Sequence, residues 1–120
     1  MKNRFEIKES DGKFHFVLKA ENGQVILSSE MYNQKHSAII GIDSVKLNSA
    51  DHASFEMNKS TNNKDYFVMK AKNGEVIGTS EMYESKQGML KGIDSVMENA
   101  PTAPMYSDNV IMGFDPLEEE

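Results

Sequence analysis

Ser29, Tyr32 and Lys35 fall within one short stretch, and the same three residue types return at the same spacing as Ser80, Tyr83 and Lys86. Two hydroxyls and an ammonium group beside a helix start could converge with the free backbone N–H groups of the first turn on a bound anion or carboxylate. A lysine in that turn opposes the helix dipole at a cost of about 0.3 to 1 kcal/mol, so each needs a compensating partner. Pairing with Glu30 and Glu81, or with the neighbouring repeat, would supply it without any ligand. Both uses stand open, and these six residues are the candidate anion- or partner-binding group.

Other reactive types are less organised. His15 and His36 are matched in the second occurrence of the pattern by Tyr66 and Gln87, and His52 has no counterpart, so a metal or general base shared by both copies is not expected. His15 is expected to project into solvent from the outer sheet face, and His36 from the first helical turn. Glu30 and Glu81 recur, as do Asp43 and Asp94, but acid–base catalysis needs two carboxyls flanking a substrate, and the aspartates are more simply the polar side of a helix. No serine–histidine–acid set, metal-spaced pair or phosphate-cradling glycine loop is present. With no cysteine in the chain, thiolate chemistry and disulfides are excluded. No cofactor and no catalytic role are expected.

These residues are placed by a tandem duplication. Lys13 to Asn48 laid over Lys64 to Asn99, a shift of 51, gives 20 identities in 36 positions. Upstream, Phe5-Glu6-Ile7 matches Phe55-Glu56-Met57 at a shift of 50, and the extra residue falls where Ser10-Asp11-Gly12-Lys13 faces Ser60-Thr61-Asn62-Asn63-Lys64. Alternation of Phe5 and Ile7 with Glu6 and Lys8, and of Phe16, Leu18 and Ala20 with His15, Val17 and Lys19, predicts half-buried antiparallel strands. Phe55, Met57, Phe67, Met69 and Ala71 keep the same inner face. Asn22-Gly23 and Asn73-Gly74 predict two-residue type I′ hairpins, followed by third strands over Gln24 to Ser28 and Glu75 to Thr79.

The period then changes to helical. Ala38, Ile42, Val45 and Ser49, and Met89, Ile93, Val96 and Ala100, mark one amphipathic helix per repeat, with Asn33 and Ser85 as expected N-caps and Asn99-Ala100-Pro101 as a stop. Gly41 and Gly92 sit in mid-helix, where glycine costs about 1 kcal/mol relative to alanine; their recurrence predicts close approach of helix to sheet. Of the nine methionines, Met57, Met69 and Met89 replace Ile7, Leu18 and Ala38 and are expected in the core.

The combination Phe-x-Ile/Met, Phe-Val-Leu/Met-Lys-Ala-x-Asn-Gly, Val-Ile, Ser-Glu-Met-Tyr-x-x-Lys and Gly-Ile-Asp-Ser-Val-x-x-Asn, over about residues 4 to 101, resembles the YegP-like family of small bacterial proteins of unknown function. The resemblance implies an α+β fold of β-β-β-α-β units sharing one sheet, with terminal strands exchanged, and implies no activity, substrate or cofactor. Met105 to Met112 is expected to supply the final exchanged strand. The expected architecture is two tandem β-β-β-α(-β) repeats, about 4–52 and 54–112, forming one antiparallel sheet with both helices on one face. They make a single domain over 1–116, and 117–120 form a disordered acidic tail.

Composition agrees with a globular domain: 38% apolar, 27% charged, eight Gly against three Pro in 120 residues. A net charge of −6, with lysines spread among acids, argues against nucleic acid and anionic membranes as partners. No apolar run approaches the roughly 20 residues that span a bilayer, and Met-Lys-Asn-Arg-Phe-Glu is not followed by an apolar leader core, so a cytoplasmic location is expected. Each repeat alone is too small for a self-sufficient core, which predicts a cooperative, pseudo-dimeric monomer. The expected function is a small non-catalytic binding or protein-interaction module. The alternative is a small-anion or metabolite-binding protein, possibly enzymatic, that uses the strand-to-helix corners.

Overall fold

A computed structural model describes residues 3–107 and 110–112. Each repeat runs as expected. The first contains β1 (Arg4–Ser10), β2 (Lys13–Lys19), β3 (Val25–Ser28) and α1 (Lys35–Asn48), and the second β4 (Phe55–Lys59), β5 (Asp65–Lys70), β6 (Val76–Thr79) and α2 (Lys86–Asn99). A 3₁₀ turn follows each helix, His52–Ser54 and Ala100–Thr102, and β7 (Met105–Ser107) and β8 (Val110–Met112) complete the described chain. All eight strands form one sheet in the order β4-β5-β6-β3-β2-β1-β7-β8.

The terminal strand is exchanged: β7, the product of the second repeat, pairs with β1 of the first, Phe5 opposite Met105 and Ile7 opposite Ser107. This pairing is parallel, so β7 runs opposite to β6, the strand that precedes α2; the other strand pairs are antiparallel. The outermost acidic residues, 117–120, lie outside the described part.

Turn chemistry differs from expectation in an instructive way. Asp11 and Gly12 both have positive φ, 53° and 75°, so the type I′ turn lies there. At the Asn-Gly sites only Gly23 and Gly74 are left-handed; Gly23 N donates to Ala20 O at 2.9 Å and Asn22 Oδ1 accepts from Gln24 N. These are type I turns closed by a left-handed glycine, and a register shift between Leu18 and Lys19 absorbs the extra residue.

The core lies between the sheet and the two helices. Ala38, Ile42, Val45 and Ser49 of the first repeat, and Met89, Ile93, Val96 and Ala100 of the second, are buried against Phe5, Phe16, Leu18, Phe55, Phe67 and Met69. Met57 is the exception to the expected core: it stands 51% exposed because β4 is an outer edge of the sheet and no strand among the described residues covers it. In the centre, β3 and β6 meet at Ser28 and Thr79. There Leu27 fills the space beside Gly78, whose missing Cβ would lie 2.7 Å from Leu27 Cγ.

Candidate functional site

Each strand-to-helix corner is built twice from the same parts. Ser29 Oγ accepts from Phe16 N at 2.9 Å and donates to the Glu30 carbonyl at 2.7 Å. Ser80 repeats this with Phe67 N at 2.9 Å and the Glu81 carbonyl at 2.8 Å. The hydroxyl protons are thereby committed to the backbone at the end of the third strand. Tyr32 is tied to the start of β2 by paired backbone bonds with Phe14, and Tyr83 to β5 through Asp65.

From that anchor the tyrosine rings turn under the helices. Tyr32 stacks on Phe16 with centroids 6.5 Å apart, and Tyr83 on Phe67 at the same 6.5 Å. Their hydroxyls reach the helical glycines: a Cβ on Gly41 would lie 2.7 Å from Tyr32 Oη and 2.8 Å from Phe16 Cε2, and one on Gly92 would meet Tyr83 Oη closer still. The repeated glycines are therefore the places where helix and sheet approach closely, and the tyrosine is the wedge between them. Burial first, and the charges of Glu30 and Glu75 next, push the Tyr32 phenol above its ordinary value; burial and then Glu81 do the same at Tyr83. Both stay protonated at neutral pH, which suits a packing role.

Lys35 and Lys86 are the first residues of their helices. Among the described residues neither has a carboxylate within 4 Å, so the expected pairing with Glu30 and Glu81 is not formed. Ser85 caps α2 by accepting from Gly88 N at 3.0 Å. Asn33 does not cap α1; Gln34 holds that position, and the Asn33 side-chain Oδ1 instead accepts from Lys13 Nζ at 2.9 Å. Serine and tyrosine at each corner thus do structural work, while the lysines keep unspent capacity.

The histidines do not assemble. His36 and His52 are exposed, whereas His15 is half-buried with Nδ1 enclosed and unpartnered among the described residues, a departure from the expected solvated side chain. Asp43, Asp94, Glu30 and Glu81 are exposed. Among the described residues no three His, Asp or Glu side chains gather as metal ligands would, and no helix is long and apolar enough to cross a membrane.

One surface lies outside the repeated motifs. Ile40 and Leu47, seven residues and so about two turns apart on α1, are 55% and 80% exposed. Ile40 borders a groove of about 360 Å³ between α1 and the β5–β6 hairpin, with Tyr32, Gly41, Ser44, Asn73 and Glu75 around it. The corresponding residues of α2 are Lys91 and Glu98. That apolar-to-charged difference between the copies was the available sequence signal.

Comparison with known proteins places these features. A family described as a domain of unknown function, DUF1508, matches twice, over residues 9–56 and 60–107. The UPF0339 protein YegP of Yersinia pestis is 52% identical over 96 residues, covering 79% of this chain and 86% of that one. YegP of Escherichia coli K12 is 46% identical over 106 residues, covering 88% and 96%. The solution structure of UPF0339 protein SO3888 from Shewanella oneidensis superposes with a TM-score of 0.83 at 44% identity, covering 89% of this chain and 92% of that one. The solution structure of E. coli YegP, described as a protein of unknown function, gives 0.83 at 43% identity, covering 90% and 94%. The duplicated β-β-β-α plan, the paired corners and these likenesses agree: the chain belongs to the DUF1508 family, the uncharacterised YegP-like UPF0339 proteins.

Proposed function

We propose that the protein is a small non-catalytic cytoplasmic interaction module that receives a protein partner on the outer face of α1. The observation that supports this most is the exposed pair Ile40 and Leu47, Ile40 bordering an open groove, at positions where α2 carries Lys91 and Glu98. Scattered exposed apolar residues are ordinary; two on one helix face, replaced by charges in the sister helix, are better explained by a contact only α1 makes. The test is the double variant Ile40→Lys, Leu47→Glu, which copies α2 and should fold as well as the parent. Used as baits in cell extract with quantitative mass spectrometry, the parent should retain a reproducible protein that the variant loses. Identical retained sets would overturn the proposal.

The alternative, an anion site at the corners, rests on the uncompensated Lys35 and Lys86. Under it, phosphate at constant ionic strength raises the melting temperature of the parent but not of Lys35→Ala, Lys86→Ala, since a ligand of the native state alone stabilises by mass action. The interaction module predicts no difference between the two proteins in their response to phosphate.

A further inference from the structure

The duplicated plan calls for two strand-receiving edges, and the described residues fill only one. After α2 the chain passes through Ala100–Thr102 and lays β7 parallel on the outer side of β1, with Phe5 N donating to Pro104 O at 2.8 Å. After α1 it passes in the same way through His52–Ser54, but the segment that follows has become β4, the first strand of the second repeat, paired with β5. Nothing among the described residues remains for the outer side of β4, which ends the sheet.

The side chains record the vacancy. Ile7, beside β7, is 4% exposed; Met57, its counterpart on β4, is 51% exposed. Phe5 directs its N–H toward β7, so by the alternation of a strand Ile7 does as well; on β4 the Phe55 N–H is taken by the His52 carbonyl of the preceding turn, and Met57 presents its backbone groups to solvent. Beside them lies a groove of about 360 Å³ formed by Met57, Asn58, Lys59, Asp65, Lys86 and Met89. Lys59 has Asp65 at 3.4 Å, whereas Lys86 has no carboxylate within 4 Å among the described residues.

We propose that the outer edge of β4, Phe55–Lys59, is a strand-addition site that takes an extended acidic segment of a partner protein as a parallel ninth strand. Backbone bonds to an exposed edge give such a site its affinity, and pockets for alternate side chains give it selectivity. Transferring the β1–β7 register, Phe5 to Met105, Glu6 to Tyr106 and Ile7 to Ser107, the occupant carries apolar residues beside Phe55 and Met57. An acidic residue two positions later lies beside Lys59 and within reach of Lys86. A second copy offering its own β4 about a twofold axis would pair antiparallel and would not reproduce the β1–β7 register. This site is separate from the face of α1 and stands or falls without it.

The probe is a synthetic peptide with the sequence of residues 102–109 carrying Ser107→Ile and Asn109→Glu, titrated into isotopically labelled full-length protein and followed by NMR. Saturable shifts at the Phe55, Met57 and Lys59 amides and the Met57 methyl are expected. Lys86→Glu, which places an acid in a first helical turn where it is tolerated, should weaken binding roughly fivefold, the worth of an exposed ion pair. Met57→Pro, which edge strands accept on the solvent side, should abolish it while the remaining spectrum stays native. Absence of shifts at β4 with millimolar peptide, shifts confined to β1 and β7, an affinity untouched by Lys86→Glu, or concentration-dependent broadening of β4 without peptide would each overturn the proposal.

Discussion

Glu6 and Glu56 hold the same place in the two repeats, as do Ile7 and Met57, yet one edge is sealed and the other open. On β1, β7 covers the strand, and Glu6 gathers Arg4 at 2.6 Å, Lys19 at 3.1 Å and Lys8 at 3.5 Å while Arg4 lies over the Tyr106 ring. On β4, Glu56 keeps among the described residues only the Lys70 contact, at 3.2 Å, and a long hydrogen bond from Asn58. The shared Phe-Glu-apolar start builds the same strand with the same face inward; burial is decided by which distant segment arrives beside it. Similar residues at equivalent positions therefore have different energetic weight.

Truncation gives the widest contrast. Ile7→Ala should cost about 2 to 4 kcal/mol, the usual range for emptying an enclosed site, while Met57→Ala should stay within about 0.5 kcal/mol, as at exposed positions. Urea denaturation of both variants measures this, and equal losses would mean that the β4 edge is covered in solution. Where the copies agree, they should respond alike. Gly41→Val and Gly92→Val should each cost about 1 to 3 kcal/mol by overpacking, although helix propensity alone favours valine. Tyr83→Phe, by removing the hydroxyl nearest to Gly92, should recover part of the second loss in thermal melts. Stable valine variants would refute the wedge.

The smallest contrast is in acid. Burial by itself would raise the Glu6 carboxyl, but hydrogen bonding and charge from Lys19 and then Arg4 outweigh it and hold the group below the usual carboxylate value. The folded chain therefore binds this proton less readily than the unfolded chain, so its contribution is present at neutral pH and is lost as pH falls from the ordinary carboxylate range through the lower native value. Glu6→Gln should destabilise by about 1 to 2 kcal/mol at neutral pH, and the gap to the parent should close on acidification. The Lys70 hydrogen bond lowers Glu56 also, but in full solvent such a pair is screened; Glu56→Gln should track the parent across the pH range.

Much of this architecture was legible because it is local. Period-two alternation places Phe5, Phe16, Phe67 and Met69 on the inner face, and helical spacing places Ala38, Ile42, Met89 and Ile93; all are buried. The third strands begin one residue later than the pattern suggests, at Val25 and Val76. Gly41 and Gly92 announced close contact because nothing else explains glycine twice in mid-helix, but their partner, a tyrosine hydroxyl from the preceding corner, depends on a ring direction that spacing does not encode. Spacing marked the corner residues, but not that their serines are engaged by a neighbouring-strand N–H and the next residue's carbonyl. Met57 looked like core because the pattern shows which face a residue occupies and is silent on whether a strand lies beside it. Ile40 and Leu47 were overlooked for the complementary reason: they fall outside the buried stripe, and only their contrast with Lys91 and Glu98 marks them.

Leu27 and Gly78 carry a consequence for how the halves know each other. At the seam where β3 meets β6, one copy brings a plug and the other a socket. Two first halves would press leucine on leucine at that seam, and two second halves would leave a hole there. Either mismatch is costly in a close-packed interior. The duplication has thus lost the option of reverting to a symmetric pair: cut within the Ser49–Ser54 connection, the chain would yield fragments that recognise one another and reject themselves. One missing side chain gives the fold a sense of left and right.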